Sequence, residues 1–223
     1  HYTPVEAILA HVELYRSLAE RPYAWTITHA ATKNTRTITI CTQDRPGLFS
    51  KIAGVFTLNR IDILNAQIYT WRNKIALDIF EVTAPRDNIF EKEKWEKAGS
   101  DLESALTDRL DLQTMLNKRL SAYRTAHLPG EGNPPRITVD NNSSSFFTII
   151  EVFADDFPGL LFKVTDTLYR CQLDIWVAKI ATDVDQVVDS FYVRDFDGNK
   201  IDSPRMETSI KQAMTQSLTM GDR

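Results

Sequence analysis

Two acidic residues stand just ahead of two Pro-Gly dipeptides, Asp44 in "DRPGLF" and Asp156 in "DFPGLL". Each is followed eighteen residues later by a second one, Asp62 and Asp174. Gly47 and Gly159 carry no Cβ, so backbone amides there can approach a ligand closely. Leu48 and Leu160 open amphipathic runs, and a helix N-terminus offers free N–H donors with a partial positive charge, which suits a carboxylate. Within one copy the two acids, Asp44 and Asp62 or Asp156 and Asp174, are expected at neighbouring strand ends, where they would take an ammonium group. Amide donors on one side and carboxylates on the other suit a zwitterionic amino acid. On the bare residues a plainer alternative stays open, in which Asp44 and Asp156 only cap helices and the glycines only permit the turn.

The elements that must hold these residues occur twice. From Asp44 to Thr70 the chain aligns without a gap on Asp156 to Thr182, with ten of 27 positions identical, among them Lys51/Lys163, Asp62/Asp174 and Ile68/Ile180. One residue is then lost, and Asp78/Asp189 and Phe80/Phe191 fall into line. Repetition at this spacing marks duplicated domains rather than a short solenoid unit. "TITICT" (37–42) and "FTIIEVF" (147–153) are β-branched and aromatic runs, hence strands. After each Pro-Gly turn the apolar residues share one helical face, Leu48, Ile52, Val55 and Phe56 in the first copy. Alternating runs starting at Asp62 and Asp174 predict second strands, and "IALDIFEV" and "VVDSFYVRDF" third ones. Arg72-Asn73 and 183–185 read as hairpin turns.

A charged helix is predicted from about Phe90 to Tyr123, and one starting at Ser203-Pro204 closes the second copy. "RITVD" (136–140) reads as the fourth strand of the first copy, with no equivalent in the second. The expected fold is α+β, two tandem ferredoxin-like βαββαβ domains with helices on one face of an antiparallel sheet, the second lacking its last strand. Residues 1–33 read as a helix (Pro4 to Glu20, opened by a capping box at Thr3) and linker, 34–141 as the first domain and 144–223 as the second. The chain begins at His1 rather than a methionine, and the leading segment is expected to be the tail of a preceding catalytic region.

"DRPGLF…DILNAQIYT" and "DFPGLL…DIWVAKIAT…DSFYVRD" resemble tandem ACT domains, small regulatory modules that bind amino acids. The long helix and the stretch "PPRITVDNNSSSFFTIIEVFADDFPGLL" bring the pair closer to the C-terminal region of the bifunctional uridylyltransferase/uridylyl-removing enzymes, which modify the PII signalling protein. The resemblance covers roughly residues 34–220. It implies a non-catalytic sensory region, with glutamine as ligand, and contacts with the catalytic domains of the parent chain and with PII. It also implies a parent nucleotidyltransferase with phosphohydrolase activity and Mg in its catalytic part, no cofactor in this chain, and a cytoplasmic protein. The ligand-binding positions it implies are Asp44, Arg45, Pro46, Gly47, Leu48, Asp62 and Asn65 in the first copy and Asp156, Pro158, Gly159, Leu160 and Asp174 in the second. Phe157 stands where the family has Arg, and Asn65 where it generally has an acid. The first copy, which keeps Arg45, is therefore the expected glutamine site.

Other chemistries find less footing. A net charge of -4 with scattered cations gives no electrostatic footprint for nucleic acid or an anionic membrane. Asp183-Val184-Asp185 is an Asp-x-Asp without a Gly-Ser shortly before it; His1, His11, His29 and His127 show no metal-ligand spacing, so no metal site is expected. Cys41 and Cys171 fall at core-like positions and read as inert reduced thiols. Two rival functions remain: an ACT-type interaction module that joins domains or subunits, such as a homodimer through its sheets, without a ligand, and the ACT regulator of a different enzyme.

Overall fold

The computed structural model describes residues 5–30, 34–71, 73–85, 89–126, 133–180, 182–183 and 186–219. Helix α1 (Val5–Leu18) leads into strands β1 (Tyr23–His29) and β2 (Thr35–Gln43). The first Pro-Gly turn, α2 (Leu48–Leu58), β3 (Ile63–Thr70), β4 (Ile75–Thr83), α3 (Glu91–Leu106) and α4 (Leu112–Ala126) follow. The second unit runs β5 (Arg136–Asp140), β6 (Thr148–Asp155), α5 (Leu160–Arg170), β7 (Leu173–Lys179), β8 (Thr182–Asp183), β9 (Gln186–Asp195) and α6 (Pro204–Thr219). The sheets are ordered β1-β2-β4-β3 and β5-β6-β9-β7, with β8 paired to β9, and every pairing is antiparallel. These are two tandem ferredoxin-like α+β units.

The fourth strands differ from the sequence expectation. Arg136–Asp140 does not close the first sheet; it pairs with β6, Arg136 opposite Phe153 and Asp140 opposite Ile149. The same edge of the first sheet is taken by β1, which pairs with β2. Each unit thus receives its edge strand from the segment before it, and neither sheet lacks one. A hairpin partner nearby in sequence costs little closure entropy. The β5–β6 connection is fixed locally, since Asp140 Oδ1 accepts the Asn142 and Ser143 amides at 2.7 and 3.1 Å. The sheet boundaries accordingly place 23–29 with the first unit and 136–140 with the second.

The long helix is also divided. Asp108 takes φ +55 after α3, and Asp111 Oδ1 accepts the Thr114 amide at 3.0 Å as a cap for α4. Residues 1–4, Arg72 and 184–185, on which part of the expected leading helix and the two hairpin turns rest, lie outside the described residues. Among the described residues no helix is long and apolar enough to cross a membrane.

Alternation along β2 sends Ile38 and Ile40 into the main core with Phe56 and Phe80, while Cys41 faces Leu14 and Leu18 of α1 on the other side. Two lysines at equivalent repeat positions tie helix ends together. Lys51 Nζ donates to the Ala105 carbonyl near the end of α3, and Lys163 Nζ to the Ser217 carbonyl near the end of α6, both at 3.2 Å. A cation suits the negative end of a helix dipole.

The units meet along α2 and α5 and along β3 and β7. Gly54 permits the close helix approach: a Cβ there would lie 2.7 Å from Leu112 Cδ2 and 2.9 Å from Phe162 Cδ2. Replacing Gly54 with Leu is expected to lower unfolding stability by about 1–3 kcal/mol through overpacking. Urea unfolding checks this as a fall in midpoint at unchanged slope; an unchanged midpoint would mean that the helices do not close on one another at this residue.

Candidate functional site

The two Pro-Gly turns are built alike. Gly47 and Gly159 hold φ +80 and +89, the left-handed region that favours glycine. The next amide turns back, Leu48 N–H to the Arg45 carbonyl at 3.1 Å and Leu160 N–H to the Phe157 carbonyl at 3.0 Å. The Leu48 and Leu160 amides are therefore engaged in the turn. The orphan donors that every helix leaves in its first turn are those of Phe49 and Ser50 in α2, and of Leu161 and Phe162 in α5. The N-cap residues are Gly47 and Gly159, which have no side chain, and the Asp44 and Asp156 carboxylates accept the backbone amides of the next residues, Arg45 and Phe157, within the turns.

The packing of α2 on α5 and β3 on β7 brings each turn opposite the other unit. Around the second turn a cavity of about 780 Å³ is lined by Asp156, Pro158, Gly159 and Leu160 together with Asp62, Thr57, Arg60 and Arg119 from the first unit. Around the first turn a cavity of only about 20 Å³ is lined by Asp44, Arg45, Gly47 and Leu48 together with Asp174, Thr165 and Tyr169 from the second unit. The expected neighbours are exchanged: Asp62 joins Asp156 and Asp174 joins Asp44. Each site is composite because the strand start that faces a turn belongs to the other repeat. Asn65 is exposed on β3 and Pro46 is exposed at its turn; neither lines either of these two cavities. Arg45 lines the smaller cavity, yet its guanidinium donates to the Leu106 carbonyl and closes the end of α3.

The carboxylates repel one another across the unit boundary. Burial pushes Asp174 up to about 6, and the Asp44 charge adds to the shift. Asp44 is raised by burial, partly offset by a hydrogen bond from Thr70. Asp156, at the rim of the larger cavity, is raised by desolvation and then by Asp62. An ammonium group set between either pair would relieve that repulsion. On the other side of the larger cavity Arg119 Nη1 donates to the Leu58 carbonyl at 2.7 Å, which fixes its guanidinium beside Arg60.

Two further acids belong to these sites. Asp78 and Asp189 lie at equivalent repeat positions on β4 and β9, each 1 % exposed, and line the smaller and larger cavity respectively. Among the described residues the Asp78 carboxyl has only the Tyr69 backbone amide to favour its charged form, and neither oxygen makes a closer hydrogen bond. Burial raises it well above the usual carboxylate range, and Asp44 adds to that. Their signal was in the sequence, as an identical Asp pair inside otherwise apolar strands. Cys41 is buried and its thiol is pushed up to about 11 by burial and then by Asp78; Cys171 is raised by burial as well.

Fold and repeated turn define a tandem α+β protein of the ACT type. Its particular likeness is to the bifunctional uridylyltransferase/uridylyl-removing enzyme. The chain is 37 % identical over 185 residues to that of Rhodospirillum rubrum, covering 82 % of this chain and 19 % of the relative. It is 35 % identical over 187 residues to that of Azospirillum brasilense, covering 81 % and 20 %. The chain is thus a homologue of one region of that enzyme and spans about a fifth of its relatives' length. No protein-family model matches it. The regulatory subunit of aspartate kinase from Thermus thermophilus, a solved structure, shares 11 % identity with a TM-score of 0.25, covering 87 % of this chain and 95 % of that one.

The raised Asp174 gives a signed test. Its folded-state value of about 6 lies above the ordinary carboxylate value of 3.8, so its contribution to stability is fully present below about pH 4 and lost as pH rises through about 6. Asp174→Asn should therefore gain stability relative to the parent between pH 4.5 and 7.5, on the order of 1 kcal/mol after allowance for solvent screening. Urea midpoints of both proteins across that range provide the measurement, and a pH-independent difference would contradict the shift.

Proposed function

We propose that this chain is the amino-acid-sensing region of a PII uridylyltransferase/uridylyl-removing enzyme of the cytoplasm, and that it takes glutamine beside the second Pro-Gly turn. The observation that carries this reading is the larger cavity, which joins paired acids, a helix start and two arginines contributed by both units. The ammonium group sits between Asp62 and Asp156, and the α-carboxylate meets the first-turn amides of α5. Arg60 and Arg119 face the side-chain amide oxygen. The first copy keeps Arg45, but that guanidinium is occupied by the Leu106 carbonyl and its cavity is too small for an amino acid, which moves the preference to the second turn. Uridylyl transfer and removal, with Mg and with PII as protein substrate, fall to the remaining four-fifths of the parent enzyme.

A ligand bridging the two units stabilises one arrangement of them over others, and the catalytic domains read out that shift of population. Calorimetry with glutamine tests the reading. A charge-assisted hydrogen bond is worth about 1.5–3 kcal/mol, so Asp62→Ala should weaken binding roughly ten- to a hundredfold. Asp62 is exposed, and the hydrogen bonds recorded for it are made by its backbone, to Thr83, so the variant should keep the fold. Unchanged affinity in the folded variant would remove Asp62 from the site, and the absence of binding by the parent to glutamine or any of a panel of amino acids would favour the ligand-free interaction module.

A further inference from the structure

Among the repeat positions at which the linings of the two composite sites differ, one pair sets a small side chain against a large ring. Thr57 faces the larger cavity, and its repeat equivalent Tyr169 faces the smaller. The Tyr169 ring lies against the first turn: a Cβ on Gly47 would stand 2.9 Å from its Cδ2. The ring also meets Phe196, ring centres 5.9 Å apart. Gly47 is thus required twice, for its positive φ and for the approach of this ring.

What lies under the ring is not ordinary core. Asp44, Asp174 and Asp78 all line the small cavity, and Asp78 is 1 % exposed with only the Tyr69 backbone amide to favour its charged form and no closer hydrogen bond among the described residues. A buried polar group so thinly partnered is costly, and a space of about 20 Å³ admits little more than one water. Among the described residues no group of three or more His, Cys, Asp or Glu is spaced to hold a metal ion. The chemistry that fits acids so placed beside a helix start is an organic ammonium.

The family resemblance already makes the first turn a ligand position for a group bearing a primary ammonium; we propose that Tyr169 holds this second site shut, so that the chain takes one amino acid rather than two. This rests on the functional reading above for the identity of the ligand, but the closure by Tyr169 does not. Reducing Tyr169 to the residue of the open site, Tyr169→Thr, should raise the calorimetric stoichiometry for glutamine from one to two equivalents per chain. Tyr169→Phe, which keeps the ring, should stay at one. Without any ligand, an NMR titration of the Asp174 carboxyl should move from about 6 in the parent towards the ordinary carboxylate range in Tyr169→Thr, because water then reaches it. A folded Tyr169→Thr variant that still binds one equivalent overturns the latent site, and an unmoved Asp174 overturns the closure. Should the parent bind no amino acid, the functional reading fails, while the Asp174 titration still decides whether Tyr169 seals the turn.

Discussion

The close packing of α2 on α5, made possible where Gly54 lets Phe162 and Leu112 come within van der Waals reach, sets the geometry of everything functional in this molecule. With β3 lying beside β7, it sets equivalent elements of the two repeats against one another. A turn at the head of one helix then faces the start of the other unit's strand. Neither repeat can build a site alone: the amide donors come from one and the facing acid from the other. A ligand in such a site reports on the relation between the units, which is the property a sensor needs.

Duplication supplied two sites, and later divergence made them unequal. Among the described residues helix α4 has no counterpart in the second unit, and it brings Arg119 to the larger cavity. Phe157 replaces an arginine whose partner in the first unit, Arg45, is spent on the end of α3. Thr57 and Tyr169 complete the asymmetry. The shared parts are those that hold the scaffold: the left-handed glycines, the lysines on the helix ends and the buried aspartates of the central strands.

Much of this was legible in the residues. The repeat at Asp44/Asp156 and Asp62/Asp174, the turn glycines and the amphipathic helices identified the units, their order and the α+β class, because these follow from local periodicity and turn chemistry. Strand partners did not follow from the same signals. "RITVD" has the composition of a strand, and nothing in it says whether it pairs forward with β6 or back with the first sheet. The break between α3 and α4 was marked by Asp111 as a cap, a signal outweighed by the continuous charged pattern around it. The exchange of Asp62 and Asp174 between turns depends on how one repeat packs on the other, which internal repetition leaves open. Nothing in the sequence singles out Tyr169; its contact with Gly47 exists only in the packed structure.

The central claim is that ligand recognition is shared between the repeats. Backbone amide shifts of the isotope-labelled chain, followed as glutamine is added, test it most directly. The composite site requires the largest shifts to appear together at Gly159 to Phe162 and at Arg60 to Ile63, on opposite sides of the unit boundary. Shifts confined to one repeat, or centred away from both turns, would contradict it.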